Sequence, residues 1–203
     1  MRLYSSPTTP FGRKVMVLIL EAGLSDRVEI VTRSGNPIDP GTLPITRNPL
    51  GKIPVLDCDD GTAIFDSRVI CRYLDKLAQS GFYPEPPLLW RTLTLEATAD
   101  GILDAALAMI YEIRMRPEHK RLPDWVEAQW TKIARALDAI ETNHMDHLAG
   151  RMDISHIALG SALGYLDFRH DARNWRSGRP HLADWATTFA QRPSMQTTMP
   201  QSV

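Results

Sequence analysis

Nine consecutive residues, Gln79 to Pro87 (QSGFYPEPP), hold three prolines and one glycine. No regular helix or strand runs through such a stretch, because proline removes a backbone donor and fixes φ. The chain must therefore fold as two parts joined by a linker, and the two parts are patterned differently.

Ahead of the linker, short β-like runs alternate with helical ones. Arg2-Leu3-Tyr4 reads as a strand. Phe11 to Ala22 reads as a helix, with Val15, Leu18, Ile19 and Ala22 at helical spacing and Gly23 as its stop. Val28 to Thr32 is a second strand, and a strand, helix, strand order predicts a parallel pair with a right-handed crossover. Arg33 to Pro54, rich in Gly, Pro, Asn and Thr, is a long loop of the kind that carries function. Val55-Leu56-Asp57 and Ala63-Ile64-Phe65 flank Asp59-Asp60-Gly61, a hairpin signal. Asp66-Ser67 then occupies a helix N-cap position ahead of Val69, Ile70, Tyr73, Leu74 and Leu77 on one face.

Beyond the linker the pattern is helical throughout, broken at Pro117 to Pro123, near Gly150 and at Gly178 to Pro180. Trp130, Ile133, Leu137 and Ile140 form one apolar stripe. The expected organisation is an α/β domain over 1–78, a linker over 79–87 and an all-α helical bundle over 88–203.

Composition excludes several functions. With 23 Lys+Arg against 24 Asp+Glu, the net charge is -1 and no long run has one sign, so neither nucleic acid nor an anionic membrane is the expected partner. Cys58 and Cys71 are the only cysteines, which rules out a disulfide scaffold and fits a reducing compartment. The first residues lack the apolar core of a signal peptide, and Ile154 to Phe168 falls short of the roughly 20 residues that span a bilayer. The expected location is the cytoplasm.

Two segments carry the chemistry: Asn48 to Leu56 (NPLGKIPVL) and Asp60 to Ile70 (DGTAIFDSRVI). In this order, after a strand, helix, strand unit, they resemble the glutathione S-transferase family. TTPFGRKVMVLILEAGL, ADGILDAAL and IALGSALGYLDFR resemble its bacterial members. The resemblance implies a thioredoxin-like first domain with a mixed four-stranded sheet, and glutathione as co-substrate with no metal or organic cofactor. It further implies a homodimer, a role in detoxification and a cis bond between Ile53 and Pro54.

The residue types suit that ligand. Glutathione is an extended tripeptide with two carboxylates, one ammonium and one thiol, so its site must offer backbone pairing, anion donors and a cation acceptor. Pro54 fits a turn that leaves the backbone of Ile53 to pair with an extended ligand. Asp66 and Ser67 at a helix start supply N–H groups and a hydroxyl for a carboxylate, and the Asp66 carboxylate accepts the ammonium. On the residues alone plain capping is the better reading of both, and the resemblance reverses that order. Lys52 is placed to meet the glycine-end carboxylate, or is a solvated loop lysine. By resemblance, Asp100 reaches across a dimer interface to the ammonium of the neighbouring site; its alternative is the polar face of a long helix.

The family divides by the residue that activates the thiol. Aligning the segment before Pro10-Phe11 puts Thr9 at the activating serine position, with Thr8 and Ser6 as alternatives and first-turn capping as the structural reading. A free thiol has pKa ~8.5, and each unit of lowering takes about 1.4 kcal/mol of preferential thiolate stabilisation, within reach of one aimed hydroxyl. The extra methyl of threonine restricts how that hydroxyl is aimed. No cysteine precedes Cys58, which removes disulfide exchange.

By looser resemblance, Phe11, Tyr111, Arg114 and Met115 line the pocket for the second substrate, a small apolar electrophile. Asp153-Ile-Ser-His156 stands where the family has a capping box, and the expectation is that Asp153 caps while His156 fails to return the bond. The leading function is a glutathione transferase. A non-catalytic glutathione-binding or interaction protein, and an isomerase using glutathione, are the alternatives.

Overall fold

The computed structural model describes residues 1–201 of the 203-residue chain. The chain divides into two compact units, one formed by 1–85 together with the segment from Pro193, the other by Pro86–Arg192.

The first unit opens with strand β1 (Arg2–Ser5), helix α1 (Pro10–Glu21) and strand β2 (Glu29–Thr32). A proline at the first helical position and Gly23 at φ +67° bracket α1, the former preset for a helix start and the latter for a left-handed exit. β1 and β2 are parallel, with Leu3 opposite Ile30. The segment 33–54 forms turns without a regular element. Strands β3 (Val55–Asp57) and β4 (Ala63–Ile64) make the expected hairpin, and β3 returns antiparallel to β1. The result is a mixed four-stranded sheet in the order β2-β1-β3-β4.

Helix α2 (Ser67–Ala78) starts where the sequence places it, its N-cap Asp66 accepting from the Arg68 N–H at 3.0 Å. Its inner face differs from the expected one. Ile70, Cys71 and Leu74 are fully buried, while Val69 and Tyr73 are 52% and 37% exposed. Helices α1 and α2 pack on each other. The core they share with the sheet includes Leu3, Val15, Leu18 and Leu56.

The second unit is helical: α3 (Leu88–Met115), α4 (Pro123–Asn143), the short α5 (Met145–Leu148), α6 (Ile154–His170) and α7 (Pro180–Phe189). The long α3 packs against both α4 and α6. Ile133, Leu137 and Ile140, three of the four stripe residues, are fully buried, and Trp130 is half-buried. Helices α3 and α6 run in parallel register. Thr92 donates to Asp153 at 2.7 Å near their starts, and His170 Nε2 lies 3.0 Å from the Ala106 carbonyl further along.

Two findings depart from the sequence reading. The span 88–203 was expected to be helical domain throughout, whereas helix α8 (Pro193–Thr197) packs on α1 and the segment from Pro193 counts with the first unit. Buried Arg13 of α1 donates to the Met195 carbonyl at 3.1 Å and to Thr198 Oγ1 at 3.4 Å, which accounts for the return. The α6 capping box is also complete. A neutral imidazole nitrogen is an acceptor, and His156 Nδ1 stands 3.2 Å from the Asp153 N–H, so histidine does return the bond. Among the described residues no helix is long and apolar enough to cross a membrane.

Candidate functional site

The hairpin assembles the site. In the β3–β4 register Leu56 faces Ile64 and Asp57 faces Ala63. Continued by two residues, that register sets Pro54 opposite Asp66. The β1–β3 register, with Tyr4 opposite Val55, likewise carries Ser5 and Ser6 alongside Pro54 and Ile53. Three segments distant in sequence thus converge at one end of the sheet: the β1–α1 loop, the Ile53-Pro54 turn and the head of α2.

Each segment is shaped for a ligand. The Ile53–Pro54 bond is cis, as the resemblance implied, and the Phe65–Asp66 bond is cis as well. Pro54 is buried, Ile53 half-buried and Lys52 exposed. Asn48 braces the turn: its side chain donates to the Lys52 carbonyl at 2.9 Å and accepts from the Leu50 N–H at 3.0 Å. Asp66 is exposed, and Ser67 at the first helical position is 3% exposed. Asp66 spends Oδ1 on the Arg68 N–H, so it caps the helix, and its second oxygen remains for a cation.

Thr9 is the N-cap residue of α1 by backbone conformation, yet its side chain makes no capping bond. Ser6 Oγ and Thr8 Oγ1 lie 3.4 Å apart and bond to each other. Of the candidate hydroxyls, that of Thr9 is therefore the one spent on neither neighbour nor helix. Gly12 fixes how Thr9 is aimed. A Cβ at Gly12 would lie 2.5 Å from the Thr9 methyl and 2.1 Å from Ser5 Oγ, so the methyl seats over the glycine and the hydroxyl is turned to another side.

Cys58 is half-buried. Burial pushes its thiol up most, against a lowering hydrogen bond from Tyr73, and Asp60 and Asp59 add to the rise. Since the thiolate is the reactive form, this environment disfavours nucleophilic use. Cys71 is buried in the α2 core.

The remaining candidates sit apart in sequence and are placed as follows. Phe11 is half-buried in the first turn of α1. Asp100 on α3 is 1% exposed in the single chain and has a partner there. On α3, Tyr111 and Met115 are half-buried and Arg114 is exposed.

The parallel packing of α3 and α6 brings Tyr165 and Arg169 to the same end as Tyr111 and Arg114, a pairing that sequence reasoning missed. Tyr165 is 2% exposed, and its phenol, hydrogen-bonded to Arg169, is pushed up to about 12 chiefly by burial. Burial also lowers Arg169, and the nearby charge of Arg114 adds to the effect. Arg169 lies over the Phe168 ring at 3.9 Å. Arg91, Arg116, Arg173, Arg176 and Arg179 of this unit each have a carboxylate partner. Among the described residues Arg114 and Arg169 have none, and neither do the exposed Arg121, Arg135 and Arg151. The available signal was the i, i+4 spacing of Tyr165 and Arg169, hidden by reading α6 as plain core.

Comparison with known proteins agrees with this geometry. The family model "Glutathione S-transferase, N-terminal domain" matches residues 8–77, and "Glutathione S-transferase, C-terminal domain" matches 123–187. The chain is 35% identical over 204 aligned positions to the GST-like protein YibF of Escherichia coli (strain K12), covering 98% of both chains. A glutathione transferase family member from Pseudomonas fluorescens Pf-5, crystallised with bound glutathione, is 42% identical with a TM-score of 0.96, 99% of each chain being covered. A second structure from the same organism, with bound S-(propanoic acid)-glutathione, is 41% identical with a TM-score of 0.92 over the full length of both chains. With both family models matched in order around one fold and one converged site, the chain belongs to the glutathione S-transferase family.

Proposed function

We propose that this protein binds glutathione at the converged end of its sheet and transfers the glutathione sulfur to a small electrophile. The observation that carries this reading is the register-imposed meeting of Ile53-Pro54 with Asp66-Ser67, beside a threonine whose hydroxyl caps nothing. The Ile53 backbone pairs with the extended peptide, Ser67 and the first N–H groups of α2 take a carboxylate, Asp66 takes the ammonium, and Lys52 adds charge at the rim. Thr9 donates to the sulfur and favours the thiolate. The Pseudomonas fluorescens structures, with glutathione and with a sulfur-substituted glutathione, support both the ligand and room beyond its sulfur. In this reading the protein works in the cytoplasm as a homodimer, in detoxification.

The test is the pKa of bound glutathione, read from thiolate absorbance in the ultraviolet. Expected is a value at least one unit below the free ~8.5, lost in Thr9→Val with glutathione still bound. A bound thiol that titrates like the free one would leave a non-catalytic glutathione-binding protein instead.

The electrophile follows from the helical unit. Tyr111, Arg114 and Met115, with Phe11, were expected to hold an apolar molecule. Arg114 and Arg169, gathered at one end of the α3–α6 pair with no carboxylate between them, favour one that carries an acid group, and the propanoic acid on the glutathione of the Pseudomonas fluorescens complex is of that kind. With an α,β-unsaturated acid the thiolate forms a C–S bond to the β-carbon, and the π pair moves to the α-carbon, which takes a proton. Acrylate and its neutral analogue acrylamide separate the two substrate classes. Arg114→Gln combined with Arg169→Gln should lower kcat/KM for acrylate about tenfold or more while changing acrylamide by less than about twofold. Equal losses on both would return the apolar substrate.

A further inference from the structure

The first unit contains a cavity that the glutathione reading does not use. It has a volume of about 370 Å³, lies at the β2 edge against α1, and is walled on its far side by Thr197 to Met199 and Gln201. A pocket of this size lies at the lower end of those that hold small molecules.

Its chemistry differs from that of a glutathione cradle. Met16, Ile19 and Leu20 from α1 and Val28 and Ile30 from β2 make it apolar, and no lining residue carries a charge. Two carboxylates and an ammonium would find no counter-charge here, and desolvating them without one is costly. Ser6 and Thr198 line it too, but their hydroxyls are already engaged, Ser6 with Thr8 and Thr198 with Arg13 and the Ser194 carbonyl. Ser25, Thr32, Thr197 and Gln201 add polar groups from exposed positions, open to water, so Ser5 is the buried exception. It lines the cavity, is 1% exposed, and its Oγ has no hydrogen-bond partner. Buried hydroxyls are nearly always paired, since an unpaired one costs about 1–3 kcal/mol. Ile30, at 45% exposed, and Met199, at 54%, are apolar side chains left half in solvent on the β2 and tail sides of the cavity.

We infer that this cavity is a second ligand site, for an uncharged and mostly apolar small molecule whose single hydrogen-bonding group pairs with Ser5. Ser5, Ser6 and Pro7 form one wall and lead directly into Thr8 and Thr9, so the ligand would sit against the loop that carries the candidate thiol-activating hydroxyl.

The test uses 1-octanol, an apolar chain with one hydroxyl, on the whole protein without glutathione. Calorimetry should show saturable binding below about 1 mM, with amide shifts confined to residues 16–20, 28–32, 197–201 and the adjoining 5–9. Ile30→Trp and Met199→Trp, both at exposed positions, should each fill the cavity and weaken binding at least tenfold. Ser5→Ala should weaken it by about threefold to tenfold, the share of one hydrogen bond. Absence of saturation, shifts elsewhere in the protein, or binding unaffected by both tryptophan variants would overturn the assignment. Glutathione binding is measured separately, so failure here leaves the transferase reading standing.

Discussion

Asp153→Ala should destabilise the helical unit by about 3–5 kcal/mol, read from urea unfolding followed by circular dichroism. The Asp153 carboxylate is 4% exposed by residue and gathers donors from three elements. It accepts from the Ser155 N–H at 2.9 Å and hydroxyl at 2.5 Å, and from Thr92 at 2.7 Å, with His147 Nε2 and His156 Nδ1 each 2.9 Å away. Truncation strands these buried groups at once, and stranding a donor costs more than a hydrogen bond contributes. Burial alone would raise the Asp153 carboxyl, but the adjoining His156 ring and the hydrogen bonds from Ser155 and Thr92 outweigh it and hold the group well below the usual carboxylate range. A depressed folded-state pKa means the stabilisation is complete above the unfolded value, ~3.9, and is lost as pH falls from there toward the folded value. Wild-type stability should therefore drop in acid below about pH 4, and Asp153→Asn, which retains a capping oxygen, should lose less at neutral pH and show a shallower acid slope.

Ser67→Ala should weaken glutathione binding about tenfold to a hundredfold in calorimetry, with the fold intact. The hydroxyl sits at the first position of α2, where the free N–H groups and the positive end of the helix dipole favour an anion. A hydrogen bond to a charged group contributes about 1.5–3 kcal/mol, which sets that range. Asp66, not Ser67, accepts the capping bond from Arg68, so loss of the serine leaves the helix start in place. Unchanged affinity would mean that no ligand carboxylate rests at the head of α2, and the family's fold would then be serving a partner other than glutathione.

What could be read from sequence was what local rules determine. The β1, α1, β2 order, the Asp59-Asp60-Gly61 hairpin and the Asp66 cap each depend on neighbours within a few residues, where turn chemistry and helical spacing decide the outcome. The meeting of Pro54 with Asp66 was legible for the same reason, since hairpin register alone brings them together. What escaped depends on packing between distant elements. Tyr165 and Arg169 meet Tyr111 and Arg114 only because α3 and α6 lie in parallel register, which periodicity in either helix does not reveal. The burial of Asp100 is a tertiary outcome of the same kind. His156 was misjudged on chemistry instead, by treating the bond-returning residue of a capping box as necessarily a carboxylate when a ring nitrogen serves.

The Arg13 contacts bridge 182 and 185 residues of sequence, so α1, made well before its partners, waits for Met195 and Thr198 before its buried guanidinium meets them. Most of the helical unit has left the ribosome by then. The sheet can pair early, yet α1 keeps this surface uncovered throughout synthesis, and a chaperone that holds nascent chains would find its target there. Helix α8 is in this sense a latch, set only after everything between has been made.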